Sequence, residues 1–348
     1  MVEGKIRVLI ADDSAMMRIV IGDIIRSQPD MEVVGFATNG IEAIEKCKKL
    51  KPDVMTLDIE MPKMDGITAL KHIIDECPTR VIMVSSLTEE GAAITLEALE
   101  IGAIDFVTKP GGSISMNFRT VAQELVDKIR TATKIDLKKV LLTRRLRTIS
   151  LPSFKGTVTT KKIVVVASST GGPRSLENII PPLPDNLPAP VVVVQHMPPN
   201  FTASLAKRLD GLSKLRVVEA KGEEEMEAGT VYVAPGDYHL GLKMVNGKVK
   251  TFLEKGPKIN NVRPAADFTF DKAAEIYRGG TIGVVLTGMG RDGTLGAFKI
   301  KHYGGKIIAE AKETCVVYGM PKSVVEEGYA DYVLPSYRIA EKIIELLR

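Results

Sequence analysis

The sequence has no tryptophan, and among its 348 residues only three are cysteine. Cys47, Cys77 and Cys315 are odd in number, widely spaced and form no Cys-x-x-Cys pair. That excludes a disulfide framework and fits reduced thiols in a cytoplasmic protein. No metal-ligand spacing joins them to the four histidines. Glutamine occurs only at Gln28, Gln123 and Gln195 while Lys and Glu are plentiful, a composition of the kind thermophilic proteins show. No apolar run reaches membrane-spanning length, so no membrane insertion is expected. The apolar stretch from Ile6 to Ala11 is too short for a signal-peptide core, and no small-residue cleavage site follows it. A net charge of +4 is small for this length, and no helix-turn-helix or aromatic–basic pattern appears in the second half. Nucleic acid is therefore not an expected partner.

What is present is an ordinary globular balance, 45% hydrophobic and 26% charged, long enough for two domains with their own cores. Ile6–Ala11 is a continuous apolar run, as in a buried parallel strand. Residues 32–37, 54–57, 81–84 and 104–107 read as four more strands. Helical patterns fall at 14–26, with Ser14 as N-cap, and at 40–50, 66–76, 89–100 and 118–130. This alternation predicts a doubly wound five-stranded parallel sheet over residues 1–133. A linker follows at 134–157, rich in Lys138, Lys139, Arg144, Arg145 and Arg147. Its basic cluster reads as a solvated linker in preference to a nucleic-acid or membrane contact.

Residues 158–348 form a second α/β domain of Rossmann-like character. Strands are expected at 163–167, 191–195, 282–286 and 306–309, and helices at 174–180, 201–209, 264–277 and 294–303. Residues 230–233 and the Val245-Asn246-Gly247-Lys248 stretch suggest a β-hairpin decoration, because Asn-Gly between alternating residues signals a type I′ turn.

Two constellations carry chemistry. Asp12 and Asp13 end the first strand, Asp58 ends the third, and Lys109-Pro110 closes the fifth. Ligands bind at the carboxyl ends of such sheets. Converging carboxylates repel unless a hard cation neutralises them, and Mg²⁺ suits oxygen ligands. Lys109 can offset charge on phosphoryl oxygens, and the Ser85 hydroxyl can hydrogen-bond one of them. In the second domain, Ser168-Ser169-Thr170-Gly171-Gly172 lies on a strand-to-helix turn, where free N–H groups suit an oxyanion. Alone, this segment fits a phosphate-binding turn equally well. His196 and Asp292 also follow strands, and with a serine they suit a base, its orienter and a nucleophile.

The set Asp12-Asp13, Asp58, Met61-Pro62, Asp65-Gly66, Ser85 and Lys109-Pro110 resembles the receiver domain of bacterial response regulators. That resemblance implies Asp58 as phospho-acceptor, Asp12 and Asp13 as metal carboxylates, the Glu60 backbone carbonyl as a further Mg²⁺ contact, and Ser85, Phe106 and Lys109 as switch residues. Phe106 lacks the hydroxyl that Tyr would bring. Ser169-Thr170-Gly171-Gly172, Gln195-His196-Met197-Pro198-Pro199, Ala234-Pro235-Gly236-Asp237 and the run from Leu286 to Gly293 resemble the catalytic domain of the CheB family of chemotaxis methylesterases. This implies Ser169 as nucleophile, His196 as general base, Asp292 as its partner, and Thr170 and Met289 beside the oxyanion, with no cofactor at this second site. His239 is a lesser candidate imidazole, expected to be structural. Ala167-Ser168 stands where Gly-Ala is common, making Ser168 a control for Ser169, and Tyr238 stands where a basic residue is common. The resemblance further implies methyl-accepting chemoreceptors as substrates, a histidine kinase as phosphodonor and deamidation of glutamines. It leads to the expectation that the unphosphorylated receiver covers the Ser169 cleft. The rival readings are a DNA-binding output and a phosphorylation-gated scaffold.

Overall fold

The protein's structure, a computed structural model, describes residues 4–109, 117–137, 140 and 161–348. The chain divides into two compact units, Met1–Arg144 and Arg145–Arg348. Most of the expected linker, with its basic cluster, lies outside the described residues, as does Pro110. Among the described residues no helix is long and apolar enough to cross a membrane.

In the first unit the order is β1 (Ile6–Ala11), α1 (Ala15–Arg26), β2 (Met31–Ala37), α2 (Gly40–Leu50), β3 (Val54–Asp58), α3 (Gly66–Glu76), β4 (Arg80–Ser85), α4 (Glu89–Ile101), β5 (Asp105–Thr108) and α5 (Asn117–Thr133). Each element lies within three residues of its expected place. The strands pair parallel in the order β2-β1-β3-β4-β5. From β1 the chain winds to one side and then returns to the other, so the switch point falls between β1 and β3. Val8–Ala11 and all of β3 are buried, which explains their continuous apolar character. Polar side chains start the helices: the Ser14 hydroxyl accepts from Met17 N at 3.3 Å and Asp65 Oδ1 from Thr68 N at 2.7 Å. Gly66 is required by packing, because a Cβ there would run into the Asp58 carbonyl.

The second unit runs β6 (Ile163–Ser168), α6 (Gly172–Ile179), β7 (Val191–Gln195), α7 (Phe201–Leu212), β8 (Arg216–Glu219), β9 (Thr230–Val233), β10 (His239–Val245), β11 (Lys248–Glu254), α8 (Ala266–Tyr277), β12 (Thr281–Val285), α9 (Thr294–His302), β13 (Lys306–Glu310), α10 (Met320–Glu326), β14 (Tyr332–Leu334) and α11 (Ser336–Leu347). Seven strands form one sheet in the order β14-β13-β12-β6-β7-β9-β8, all parallel. Its switch point lies between β6 and β12. The apolar faces of β6, β7, β9 and β12 pack with Ala266, Phe270 and Ala273 of α8 in one core.

The β10–β11 hairpin turns at Asn246-Gly247, with φ of 50° and 76°, the left-handed pair that a type I′ turn needs. Thr230–Val233 is not part of it. This strand pairs parallel with β7 and β8, and all four of its residues are buried. Its continuous burial marks an interior strand of the sheet, whereas β10 and β11 become exposed toward the turn that joins them.

Candidate functional site

At the first switch point, ligand atoms of Asp12, Asp13 and Asp58 all lie within 4.8 Å of one another. Lys109 Nζ stands 2.8 Å from Asp58 Oδ2 and 3.8 Å from Asp12 Oδ2. Burial pushes the Asp58 carboxyl up to about 6, Lys109 opposes this, and the charge of Asp12 adds to it. Asp12 is also raised, chiefly by burial and against the pull of Lys109. Its Oδ1 accepts from Ser14 N at 2.9 Å, while its buried Oδ2 has no hydrogen-bond partner. A buried carboxylate oxygen with no partner among the described residues, beside two further carboxylates, fits a hard cation. The Glu60 N–H reaches Asp58 Oδ1 at 3.4 Å, which keeps its carbonyl in the same loop.

Ser85 is buried, and its hydroxyl is turned to the start of α4. It accepts from Thr95 Oγ1 at 2.7 Å and approaches the Gly91 carbonyl at 3.3 Å. Phe106 is buried beneath Lys128, whose Nζ lies 5.1 Å from the ring centroid and 3.3 Å from Asp105. Lys128 was not anticipated from sequence. Its only signal is a lysine on the inner face of α5.

At the second switch point the register itself assembles the site. Ser168 lies opposite Gln195, so Ser169 and His196 leave adjacent strands side by side, and His196 N donates to Ser168 O at 3.0 Å. On the other flank Ala167 lies opposite Val285, and the loop after β12 carries Asp292. His196 Nε2 is 2.7 Å from Asp292 Oδ2. A carboxylate only accepts, so Nε2 is the donor, and Nδ1 is the ring nitrogen that Asp292 does not engage.

Asp292 is 2% exposed and accepts four hydrogen bonds. Oδ2 takes His196 and the Ala266 N–H (2.6 Å); Oδ1 takes the Asp267 N–H (3.1 Å) and Asn260 Nδ2 (2.9 Å). Burial pushes this carboxyl up, but the His196 hydrogen bond and charge and the two N–H groups at the start of α8 overcome it, leaving it low.

The serine turn is clamped by Gln195, a buried residue of the expected motif whose role the sequence did not disclose. Its Oε1 accepts from Ser168 Oγ at 2.6 Å and its Nε2 donates to Ser169 O at 3.0 Å. Ser168 is fully buried and its hydroxyl is spent on this clamp. A Cβ at Gly288 would come within 2.7 Å of Ser169 Cβ, so the Gly288-Met289 backbone lies directly against the serine. The Thr170 carbonyl accepts from Thr287 Oγ1 at 2.9 Å, which ties the serine turn to the loop after β12. Gly171 has φ of 79°, the left-handed turn that opens α6.

The Ala234-Pro235-Gly236-Asp237 loop packs on Pro198-Pro199, where a Cβ at Gly236 would collide with that backbone. His239 stays outside the site. It is 1% exposed, Nδ1 accepts from Ala265 N at 3.2 Å, and Nε2 lies 2.9 Å from the Pro257 carbonyl. Tyr238 carries no charge, yet Lys255 Nζ lies over its ring at 5.4 Å and supplies a cation from the end of the hairpin.

The CheB methylesterase family model matches residues 164–343 and the response regulator receiver domain model matches residues 8–117. A protein-glutamate methylesterase/protein-glutamine glutaminase of Thermotoga maritima is 65% identical over the full length of both chains. One of the same name from Pyrococcus abyssi is 49% identical over 98% of this chain and 93% of its own. The crystal structure of the Thermotoga maritima CheB methylesterase catalytic domain superposes with a TM-score of 0.53 at 72% identity, covering 53% of this chain and 98% of that one. This chain belongs to the CheB methylesterase family, with a response regulator receiver domain preceding the methylesterase domain.

Proposed function

We propose that the protein is a phosphorylation-activated protein-glutamate methylesterase that also deamidates protein glutamines, acting in the cytoplasm on methyl-accepting chemotaxis receptors. The observation that carries this reading is the convergence of Ser169, His196 and Asp292 at the ends of three neighbouring strands, with the His196–Asp292 hydrogen bond formed.

In this reading Ser169 Oγ attacks the γ-carbonyl carbon of a glutamate methyl ester. His196 Nδ1 takes the serine proton, and the protonated imidazole is held by Asp292. N–H groups around Thr170 and Met289 receive the oxyanion. Collapse of the tetrahedral adduct breaks the bond to the methoxy oxygen, and His196 returns the proton so that methanol leaves. Water, deprotonated by His196, then releases the glutamate carboxylate and restores Ser169. With a glutamine side chain the leaving group is ammonia.

At the receiver, Asp12, Asp13 and Asp58 with the Glu60 carbonyl would hold Mg²⁺, which supplies charge to offset the carboxylates and the phosphoryl oxygens. Asp58 attacks the phosphorus of a phosphohistidine on the chemotaxis kinase, forming an acyl phosphate as the imidazole leaves. The Lys109 ammonium offsets charge on the transferred group. The Ser85 hydroxyl, now turned to α4, is the donor that a phosphoryl oxygen would draw away, and movement around Phe106 would pass the change on.

The test is methanol release from methylated receptor membranes by the wild type, Ser169→Ala and Ser168→Ala. Release should vanish only in Ser169→Ala. Undiminished release from that variant would remove the assignment.

A further inference from the structure

The catalytic-domain helices α8 and α9 begin without caps of their own. Neither Ala265 nor Gly293, their N-cap residues, makes a side-chain capping bond. Each helix borrows a carboxylate from the other's neighbourhood. Asp292, in the loop that leads into α9, receives the Ala266 and Asp267 N–H groups that open α8. Asp267, in the first turn of α8, receives the Gly296 N–H in the first turn of α9 at 2.8 Å. The two carboxylates are buried side by side, and one nitrogen bridges them: Asn260 Nδ2 donates to Asp267 Oδ2 at 2.8 Å and to Asp292 Oδ1 at 2.9 Å.

Asn260 is held there by its backbone. Ile259 and Val262 exchange N–H···O bonds of 3.2 and 3.0 Å, and Asn260 and Asn261 between them have φ of 53° and 64°. Two successive left-handed residues form a tight turn, which asparagine tolerates. The turn sits at the surface and aims one amide inward at two buried carboxylates.

We propose that Asn260 is a positioning residue of the hydrolytic site: it holds Asp292 and Asp267 together as a reciprocal pair of helix caps and thereby fixes the Asp292 oxygen that orients His196. The proposal rests on the reading of Asp292 as the partner of His196. A bridging donor is what two adjacent carboxylates need, since without it they repel and rotate apart. Their opposed ionisation agrees: burial and the charge of Asp292 raise Asp267, while Asp292 is held low. Among the described residues the titratable groups in contact with the bridge or its carboxylates are His196, Asp267 and Asp292. Nearby charges are otherwise engaged: Arg263 is bound to Asp237 and Arg291 lies 3.7 Å from Glu327. His239 faces Ala265 and Pro257 instead.

The experiment compares full-length wild type, Asn260→Gly, Asn260→Asp and Ser169→Ala, with Mg²⁺ and acetyl phosphate, on methylated receptor membranes across about pH 6–9. Glycine and aspartate both accept the left-handed backbone, so the turn persists in either variant and a thermal melt checks it. Asn260→Gly should lower kcat by roughly tenfold with KM within about twofold, the signature of lost orientation and not lost binding. Asn260→Asp keeps the shape but cannot donate and adds a third carboxylate. It should fall below Asn260→Gly at high pH, with the deficit narrowing as pH falls and the cluster protonates. Wild-type kcat in Asn260→Gly, or a wild-type profile in Asn260→Asp, overturns the proposal while Ser169→Ala stays inactive. Turnover surviving in Ser169→Ala overturns the hydrolytic reading itself, and this proposal with it.

Discussion

Asp58 and Asp292 are 1% and 2% exposed, both beside the switch point of a parallel sheet, and their surroundings push them in opposite directions. Around Asp58 burial and the charge of Asp12 outweigh Lys109, and the carboxyl rises to about 6. Around Asp292 four donors fill the carboxylate, and it stays low in spite of similar burial. The difference lies in donors and not in depth. Among the described residues Asp12 Oδ2 has no hydrogen-bond partner, and in the proposed reading a cation would complete this site from outside. Asp292 is satisfied from within, by a histidine, two helix N–H groups and an asparagine. In the proposed reading one site is built to be switched, the other to be ready.

The sharpest way to break this comparison is to remove each aspartate. Asp292→Asn should lower kcat by about 10³–10⁴-fold, because an amide at this position disturbs the tautomer of His196. Asp58→Asn should leave basal methanol release unchanged and abolish its stimulation by acetyl phosphate. Equal losses in the two variants would contradict the division of labour.

A second effect probes how closely the serine is confined. Gly288→Ala places a Cβ within 2.7 Å of Ser169 Cβ and against Met320, so Ser169 must shift. A fall of roughly 10²-fold in kcat is expected from a displacement of this kind, measured beside a thermal melt to separate it from unfolding.

The third effect follows from the opposite pKa directions. A carboxyl raised to about 6 from 3.8 contributes stability that is fully present below about pH 4 and is lost as pH rises through about 6. Without Mg²⁺, Asp58→Asn should thus be more stable than the wild type above about pH 6, and the gain should vanish near pH 4. Asp292, held low, contributes stability present above the ordinary carboxyl range and lost as pH falls through its folded value. Asp292→Asn should accordingly be destabilising at neutral pH. Urea midpoints of the metal-free proteins against pH measure both, and a shared sign would contradict the account.

The smallest expected effect is at Ser168. Ser168→Ala leaves Gln195 Oε1 buried without its donor, at a cost of about 1–3 kcal/mol. Activity should persist within a fewfold, since Gln195 still holds the Ser169 carbonyl.

Most of the framework was legible in the sequence because buried parallel strands leave continuous apolar runs, and functional residues sit where those runs end. Asp12, Asp58 and His196 stand out as candidates by that rule, whereas choosing Ser169 over Ser168, the last residue of β6, needed the family resemblance. Asp292, seven residues past β12, needed the glycine-rich run around it and the family resemblance. Thr230–Val233 was misplaced because a four-residue apolar strand beside a real hairpin signal does not announce its partner. Asn260 and Asp267 were invisible for a different reason. Their roles depend on the meeting of α8, α9 and the turn before α8, and adjacent asparagines or an acid in a first helical turn are ordinary in sequence. Gln195 lay inside a recognised motif, but its clamp on the serine turn requires the Ser168–Gln195 register.

The most direct test of the contrast between the two sites is methanol release by the full-length protein, with and without acetyl phosphate, before and after chelation of divalent cations. The account predicts that chelation abolishes the stimulation and leaves basal turnover at Ser169 intact, with Mg²⁺ restoring the difference. Loss of basal turnover on chelation, or stimulation that survives it, would contradict the claim that one site is completed by a cation and the other by its own side chains.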